Sequence, residues 1–125
     1  MKILAIIPAR MASSRFPGKP LKKINGKEMI KIIYQNVDKN KKLKDTIIAT
    51  CDNEIKLFCI KNNMKYIMTS KKHVRASDRT AEAVIKYEKF NKTKIDLVVM
   101  IQGDEPMVDQ KMIDMSIEPF KKNKK

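Results

Sequence analysis

The chain predicts an α/β fold, a mostly parallel sheet covered by helices on both faces. Two patterns carry that expectation. Short apolar runs rich in β-branched residues alternate with amphipathic stretches of helical period, four of each in strand–helix order. Polar segments with glycine, proline or aspartate follow the strands. In an open α/β sheet, the strand C-termini are the edge where ligands bind.

The elements follow in order. Lys2 to Ile7 is a compact apolar run and reads as a buried strand ended by Pro8. A loop runs to Pro20, with Pro17-Gly18 as a turn signal. Leu21 to Ile24 reads as a short extended piece and Asn25-Gly26 as a second turn. From Lys27 to Asp38, residues Met29, Ile30, Ile33, Tyr34 and Val37 recur at helical spacing. Asp45 to Thr50 is a second strand. Asp52 or Asn53 caps a helix with Ile55, Phe58 and Cys59 on one face. Tyr66 to Met68 is a third strand. Ala81, Val84, Ile85 and Glu88 fit a helix, and Ile95 to Ile101 is the fourth strand. Asp109 caps a last helix with Met112, Ile113 and Ile117 facing inward. Nothing in this order suggests an internal repeat or a linker, so residues 1–125 read as one domain.

Composition narrows the function. No run approaches the roughly 18 apolar residues of a membrane span, and the apolar run before Pro8 is too short for a signal peptide. The expected location is cytoplasmic, with no membrane partner. Cys51 and Cys59 have no His/Cys cluster around them and read as reduced thiols. The formal net charge is +14, which favours an anionic partner. Of the 28 basic residues 24 are lysines scattered over helical surfaces, while the four arginines fall in two loop-like segments. Arginine's planar fork suits bidentate contacts to phosphate or carboxylate, so the arginines mark the candidate site. A nucleic-acid partner is not expected, because the seven Tyr and Phe residues lie mostly in helical patterns rather than among the basic loops.

Three loops carry the chemistry. In PARMASSRFPGKP, Arg10, Arg15 and Lys19 converge if the loop folds back over its own turn, and Ser14 and nearby backbone N–H groups add donors. That set suits an anion the size of a triphosphate; the bland alternative is an exposed basic loop. It is neither a P-loop nor a dinucleotide fingerprint. In QGDEP, Asp104 can hold Mg²⁺ against phosphate oxygens, with Gly103 allowing a nucleotide close approach; Glu105 suits local structural bonds, and an acidic turn is the alternative. In HVRASDR, Arg79 suits a phosphate or a carboxylate. Ser77 suits a helix cap or a base edge, and the lone His73 a structural role rather than a general base. No nucleophile–base pair is visible, so the chemistry implied is electrostatic clamping of a phosphoryl group.

IIPARMASSRFPGKPL, IIATCDNEI, TSKKHVRASDRTAEA and VVMIQGDEPMV, in this order, resemble the N-terminal half of the sugar-acid cytidylyltransferases, nearest to the 3-deoxy-manno-octulosonate (Kdo) branch. The match covers nearly the whole chain. The resemblance implies a Rossmann-like fold of the nucleotide-diphospho-sugar transferase type, of which residues 1–125 are the nucleotide-binding part. It implies CTP and a Kdo-like acidic sugar as substrates, Mg²⁺ as cofactor, and CMP-sugar and pyrophosphate as products for lipopolysaccharide biosynthesis. By motif position, Arg10, Lys19 and Asp104 would be catalytic, with Asp104 the metal ligand. Arg10, Ser14, Arg15 and Lys19 would hold the phosphates and Gln102 the nucleotide. Arg75, Ser77 and Arg79 would lie near cytosine and ribose.

The chain departs from the family pattern at three points. Arg75-Ala76 replaces a small Ser-Gly pair, Cys51 is inserted before Asp52, and the chain is about half the family's usual length. The resemblance implies that the other half carries much of the sugar pocket, a second metal carboxylate and much of the dimer contact. The competing expectation is therefore a non-catalytic half that pairs with a partner chain carrying the C-terminal half, rather than a homodimeric enzyme. Alone, such a half is expected to expose a sheet edge and apolar surface.

Overall fold

A computed structural model describes residues 1–12, 18–103 and 108–123. Strand β1 (Ile3–Pro8) is buried along its whole length, as its unbroken apolar run requires. Next come a 3₁₀ turn at Lys19–Leu21 and a small hairpin of β2 (Lys23–Ile24) and β3 (Lys27–Glu28). Helix α1 (Met29–Asp38), β4 (Asp45–Thr50), α2 (Asn53–Lys61) and β5 (Tyr66–Met68) follow. The remainder is α3 (Ala76–Asn91), β6 (Leu97–Met100) and α4 (Gln110–Asn123).

The main sheet has the order β5-β4-β1-β6, and every pairing in it is parallel. Ile6 lies beside Ile47 on one flank and Met100 on the other. Alternation along β1 divides the core. Ile3, Ala5 and Ile7 join the larger cluster with Ile30 and Ile33 of α1, Ile55 of α2, and Ile113 and Ile117 of α4. Leu4 and Ile6 face Ala83 and Tyr87 of α3 on the opposite side. The expected sheet, covered on both faces, is the one observed. Among the described residues no helix is long and apolar enough to cross a membrane. Both cysteines are free thiols, and burial pushes Cys59 up to about 11.

Several expected boundaries move. Leu21 closes a 3₁₀ turn instead of starting an extended piece, because Pro20 presets a helical φ and Gly18 enters the turn at φ 78°. Asn25 and Gly26 both adopt positive φ, 52° and 85°, as a tight two-residue hairpin turn demands. That hairpin claims Lys27 and Glu28, so α1 begins at Met29. Its five expected core residues are all buried. Helix α3 begins at Ala76, five residues before the first residue read as helical, and its buried face is Arg79, Thr80, Ala83 and Tyr87. Ile85 is exposed. On α4, Ile113 and Ile117 are buried but Met112 turns outward. Asp109 does cap that helix, accepting from the Met112 amide at 2.9 Å.

Candidate functional site

Sheet order decides where the site lies. The chain steps outward from β1 to β4 to β5, then crosses back through α3 to place β6 on the other side of β1. The strand order thus reverses between β1 and β6, and the crevice at their adjoining C-terminal ends is a topological switch point. A cavity of about 290 Å³ opens there. Pro8, Ala9 and Arg10 line it from the end of β1, Lys19 and Pro20 from the 3₁₀ turn, and Gln102 and Gly103 from the end of β6. Val74, Ala76 and Arg79 close it from the start of α3.

Backbone bonds shape the first loop. The Ala9 amide donates to Ala49 O at 2.9 Å, continuing the β1–β4 ladder past Pro8. The Gly18 amide donates to Met11 O at 2.7 Å, so the two ends of the loop meet and bring Arg10 and Lys19 to one cavity. Asp52 sits at the N-cap position of α2, yet its carboxylate makes no cap bond. It accepts instead from the Met11 amide at 2.9 Å. The cap expected from sequence is thus a tether that joins two strand-end loops.

Gly103 matters for a reason other than nucleotide approach. A Cβ there would come within 2.9 Å of the Pro8 carbonyl oxygen. A side chain at this position would push the β6 loop off the β1 loop and open the crevice between them.

The cavity is cationic. Arg10 donates from Nη1 to His73 O at 3.2 Å and from Nη2 to Ala12 O at 3.0 Å. Arg79 is 1% exposed and donates from Nε to Thr69 Oγ1 at 2.9 Å and from Nη2 to Ser70 O at 3.2 Å. All four partners are neutral oxygens, which orient the guanidinium groups without cancelling their charge. The N-terminus of the 16-residue α3, which has no side-chain cap at Arg75, reaches the cavity wall at Ala76. A helix N-terminus beside two arginines and a lysine favours an anion.

The other expected site residues fall elsewhere. Arg75 holds the N-cap position of α3 and is exposed; Ser77 is exposed inside the first turn and is not the cap. Neither lines the cavity, whereas their neighbours Val74 and Ala76 do. Ser14, Arg15, Asp104 and Glu105 lie outside the described residues. One partner, Glu82, went unread in the sequence. Glu82 accepts from the Ser70 amide at 3.0 Å and lies 2.6 Å from His73 Nε2. Lys86, the Ser70 amide and the His73 ring hold its carboxyl at about 2, against the opposing effect of burial. A carboxylate at that position is ionised and only accepts, so His73 Nε2 carries the donated proton. His73 therefore has the structural role expected of it. A Glu at helical spacing from a buried arginine is a common surface pattern, and no sequence signal distinguishes it.

A family model described as cytidylyltransferase matches residues 4–125. The chain belongs to the cytidylyltransferase family. It is 44% identical over 124 residues to the 3-deoxy-manno-octulosonate cytidylyltransferase of Fusobacterium nucleatum subsp. nucleatum, covering 99% of this chain and 48% of that protein. Among solved structures, it matches CMP:2-keto-3-deoxy-manno-octonic acid synthetase complexed with CTP. The TM-score is 0.87 at 31% identity, over 98% of this chain and 48% of that one. A cytidylyltransferase from Leptospira borgpetersenii serovar Hardjo-bovis shares the fold, with a TM-score of 0.81 at 24% identity. This cytidylyltransferase chain spans about half the length of the curated relatives it matches. The resemblance of its motifs to the Kdo branch is borne out.

Proposed function

We propose that residues 1–125 form the nucleotide-holding part of a CTP-dependent cytidylyltransferase that activates a Kdo-like 2-keto-3-deoxy sugar acid. In that reaction the sugar's anomeric hydroxyl attacks the α-phosphorus of CTP, forming CMP-sugar and releasing pyrophosphate. The observation that carries the reading is the convergence of Arg10, Lys19 and Arg79 with Gln102 on one cavity at the switch point. Arg10 and Arg79, held by neutral oxygens, match a polyphosphate, and Gln102 supplies a neutral side chain able to both donate and accept toward the nucleotide. Ser14 and Arg15, on the same loop as Arg10 and Lys19, extend the phosphate cradle. Arg75 and Ser77 flank the mouth next to Val74 and Ala76, where they would meet the base or ribose.

Among the described residues no group of three or more His, Cys, Asp or Glu side chains could hold a metal on its own. Mg²⁺ does not require one, since it commonly takes one or two carboxylates and completes its octahedron with phosphate oxygens and water. Asp104, the residue after Gly103, fits that donor set and would hold the ion. When bound, Mg²⁺ would neutralise phosphate charge during transfer.

Titration calorimetry with CTP and UTP in the presence of Mg²⁺ tests the reading. CTP should bind and UTP bind more weakly, and Arg10→Ala or Lys19→Ala should cost roughly 10- to 100-fold in affinity, the range for a lost charge-assisted contact. No binding of either nucleotide sinks the proposal.

A further inference from the structure

We propose that Glu82 is a positioning residue for Arg10, acting through the loop that ends at His73. As a statement about ligand affinity it rests on the nucleotide reading above; as a statement about Arg10 it does not. Glu82 lies three residues beyond Arg79 on α3, so both side chains leave the same face of the helix. Together they hold the segment between β5 and α3. Arg79 grips Thr69 Oγ1 and Ser70 O. One oxygen of Glu82, Oε1, accepts from the Ser70 amide at 3.0 Å and from His73 Nε2 at 2.6 Å. A single carboxylate oxygen thus ties the first residue of the turn to the last.

The consequence appears across the cavity. His73 presents its carbonyl oxygen to Arg10 Nη1 at 3.2 Å, a contact between residues 63 apart in sequence. The second contact of Arg10, to Ala12 O, is exposed and local. Two carbonyls at different nitrogens fix the plane of the fork, and one alone leaves it free to rotate. Removing the Glu82 carboxylate strands the Ser70 amide and the His73 ring, and the turn relaxes to satisfy them elsewhere. The His73 carbonyl then leaves its place, and Arg10 loses its part-buried anchor. The remaining partner of Glu82 is Lys86, one helical turn on at 2.8 Å. Half-exposed helix pairs of that kind contribute little, so the brace is the larger role of the carboxylate.

Two measurements on the 125-residue chain test this. Four arginines give four side-chain Nε–Hε signals in a nitrogen-resolved NMR spectrum, and Arg10→Lys assigns the relevant one. Without ligand, Glu82→Ala should shift or broaden the Arg10 signal and leave that of exposed Arg75 in place. His73→Ala should do the same. His73→Gln, whose amide nitrogen can replace Nε2 as donor to Glu82, should restore the native position. With CTP and Mg²⁺, Glu82→Ala should weaken binding roughly 5- to 10-fold, and should cause no further loss in an Arg10→Ala background. Glu82→Gln keeps the side-chain shape and serves if the alanine variant unfolds; it should show a smaller displacement in the same direction. An unmoved Arg10 signal in both Glu82 variants, or losses that add in the double variant, overturns the proposal. Failure of the unaltered chain to bind CTP would overturn the nucleotide reading, while the ligand-free spectrum would still decide whether Glu82 positions Arg10.

Discussion

At the scale of single residues, Gly103 and Glu82 show how little local pattern reveals about a tertiary demand. Gly103 is required by a backbone carbonyl that lies 95 residues earlier in sequence, at Pro8, 2.9 Å from where its Cβ would stand. That oxygen belongs to the end of a buried strand and cannot swing aside. Gly103→Ala should therefore cost about 1–3 kcal/mol, the range for overpacking, read by urea denaturation, and should weaken CTP binding by separating the two loops. Glu82 has a carboxyl depressed from its ordinary 4.5 to about 2 in the folded chain. A depressed folded value means stabilisation that is complete above pH 4.5 and is lost as pH falls toward about 2. Unfolding free energy measured across that window should fall more steeply for the unaltered chain than for Glu82→Gln. Equal slopes would contradict the assignment.

At the scale of elements, periodicity succeeds where an element buries only apolar groups. Helix α1 buries Met29, Ile30, Ile33, Tyr34 and Val37, all of them readable from spacing alone. Ile33 is fully buried and packed between helix and sheet. Ile33→Ala should destabilise by about 2–5 kcal/mol, the usual cost of such a cavity, and chemical denaturation would measure it. Helix α3 behaves differently. Its first turn buries Arg79 and Thr80, polar residues that a hydropathy pattern assigns to solvent. The helix is consequently read as starting too late, and with it the N-terminal turn that faces the cavity is missed. Asp52 is a related case. Its position before α2 predicts a cap, but the Met11 amide, 41 residues away in sequence, takes the carboxylate.

At the scale of the whole molecule, the formal charge of +14 invites a polyanion reading. The fold concentrates three cations, Arg10, Lys19 and Arg79, at the switch point. Most lysines remain dispersed. Dispersed charge should give only non-specific attraction, so binding of a random oligonucleotide, followed by fluorescence anisotropy, should vanish between about 50 and 200 mM salt. CTP, held by oriented groups in a cavity, should retain measurable affinity at the higher salt. Oligonucleotide binding that survives 200 mM salt and is not displaced by CTP would reverse that assignment. The flanks of the sheet, β5 and β6, are its edges among the described residues, and Phe90 and Val74 are 91% and 86% exposed.

The strand–helix alternation, the helix faces of α1 and α2, and the loops carrying Arg10, Lys19 and Gln102 are legible in the sequence. Each depends on interactions between near neighbours, whose spacing along the chain is their spacing in space. The motif order likewise sufficed to indicate the family. Tertiary structure alone decided which loops face each other: the return of β6 to the far side of β1 makes the crevice, and no local pattern encodes sheet order. It also decided that Asp52 is a tether, that Gly103 answers to Pro8, and that Glu82 braces the turn on which Arg10 rests. Those contacts join residues that are remote along the chain. A hydrogen bond between such groups leaves no periodic trace in sequence, because its geometry exists only once the sheet has assembled.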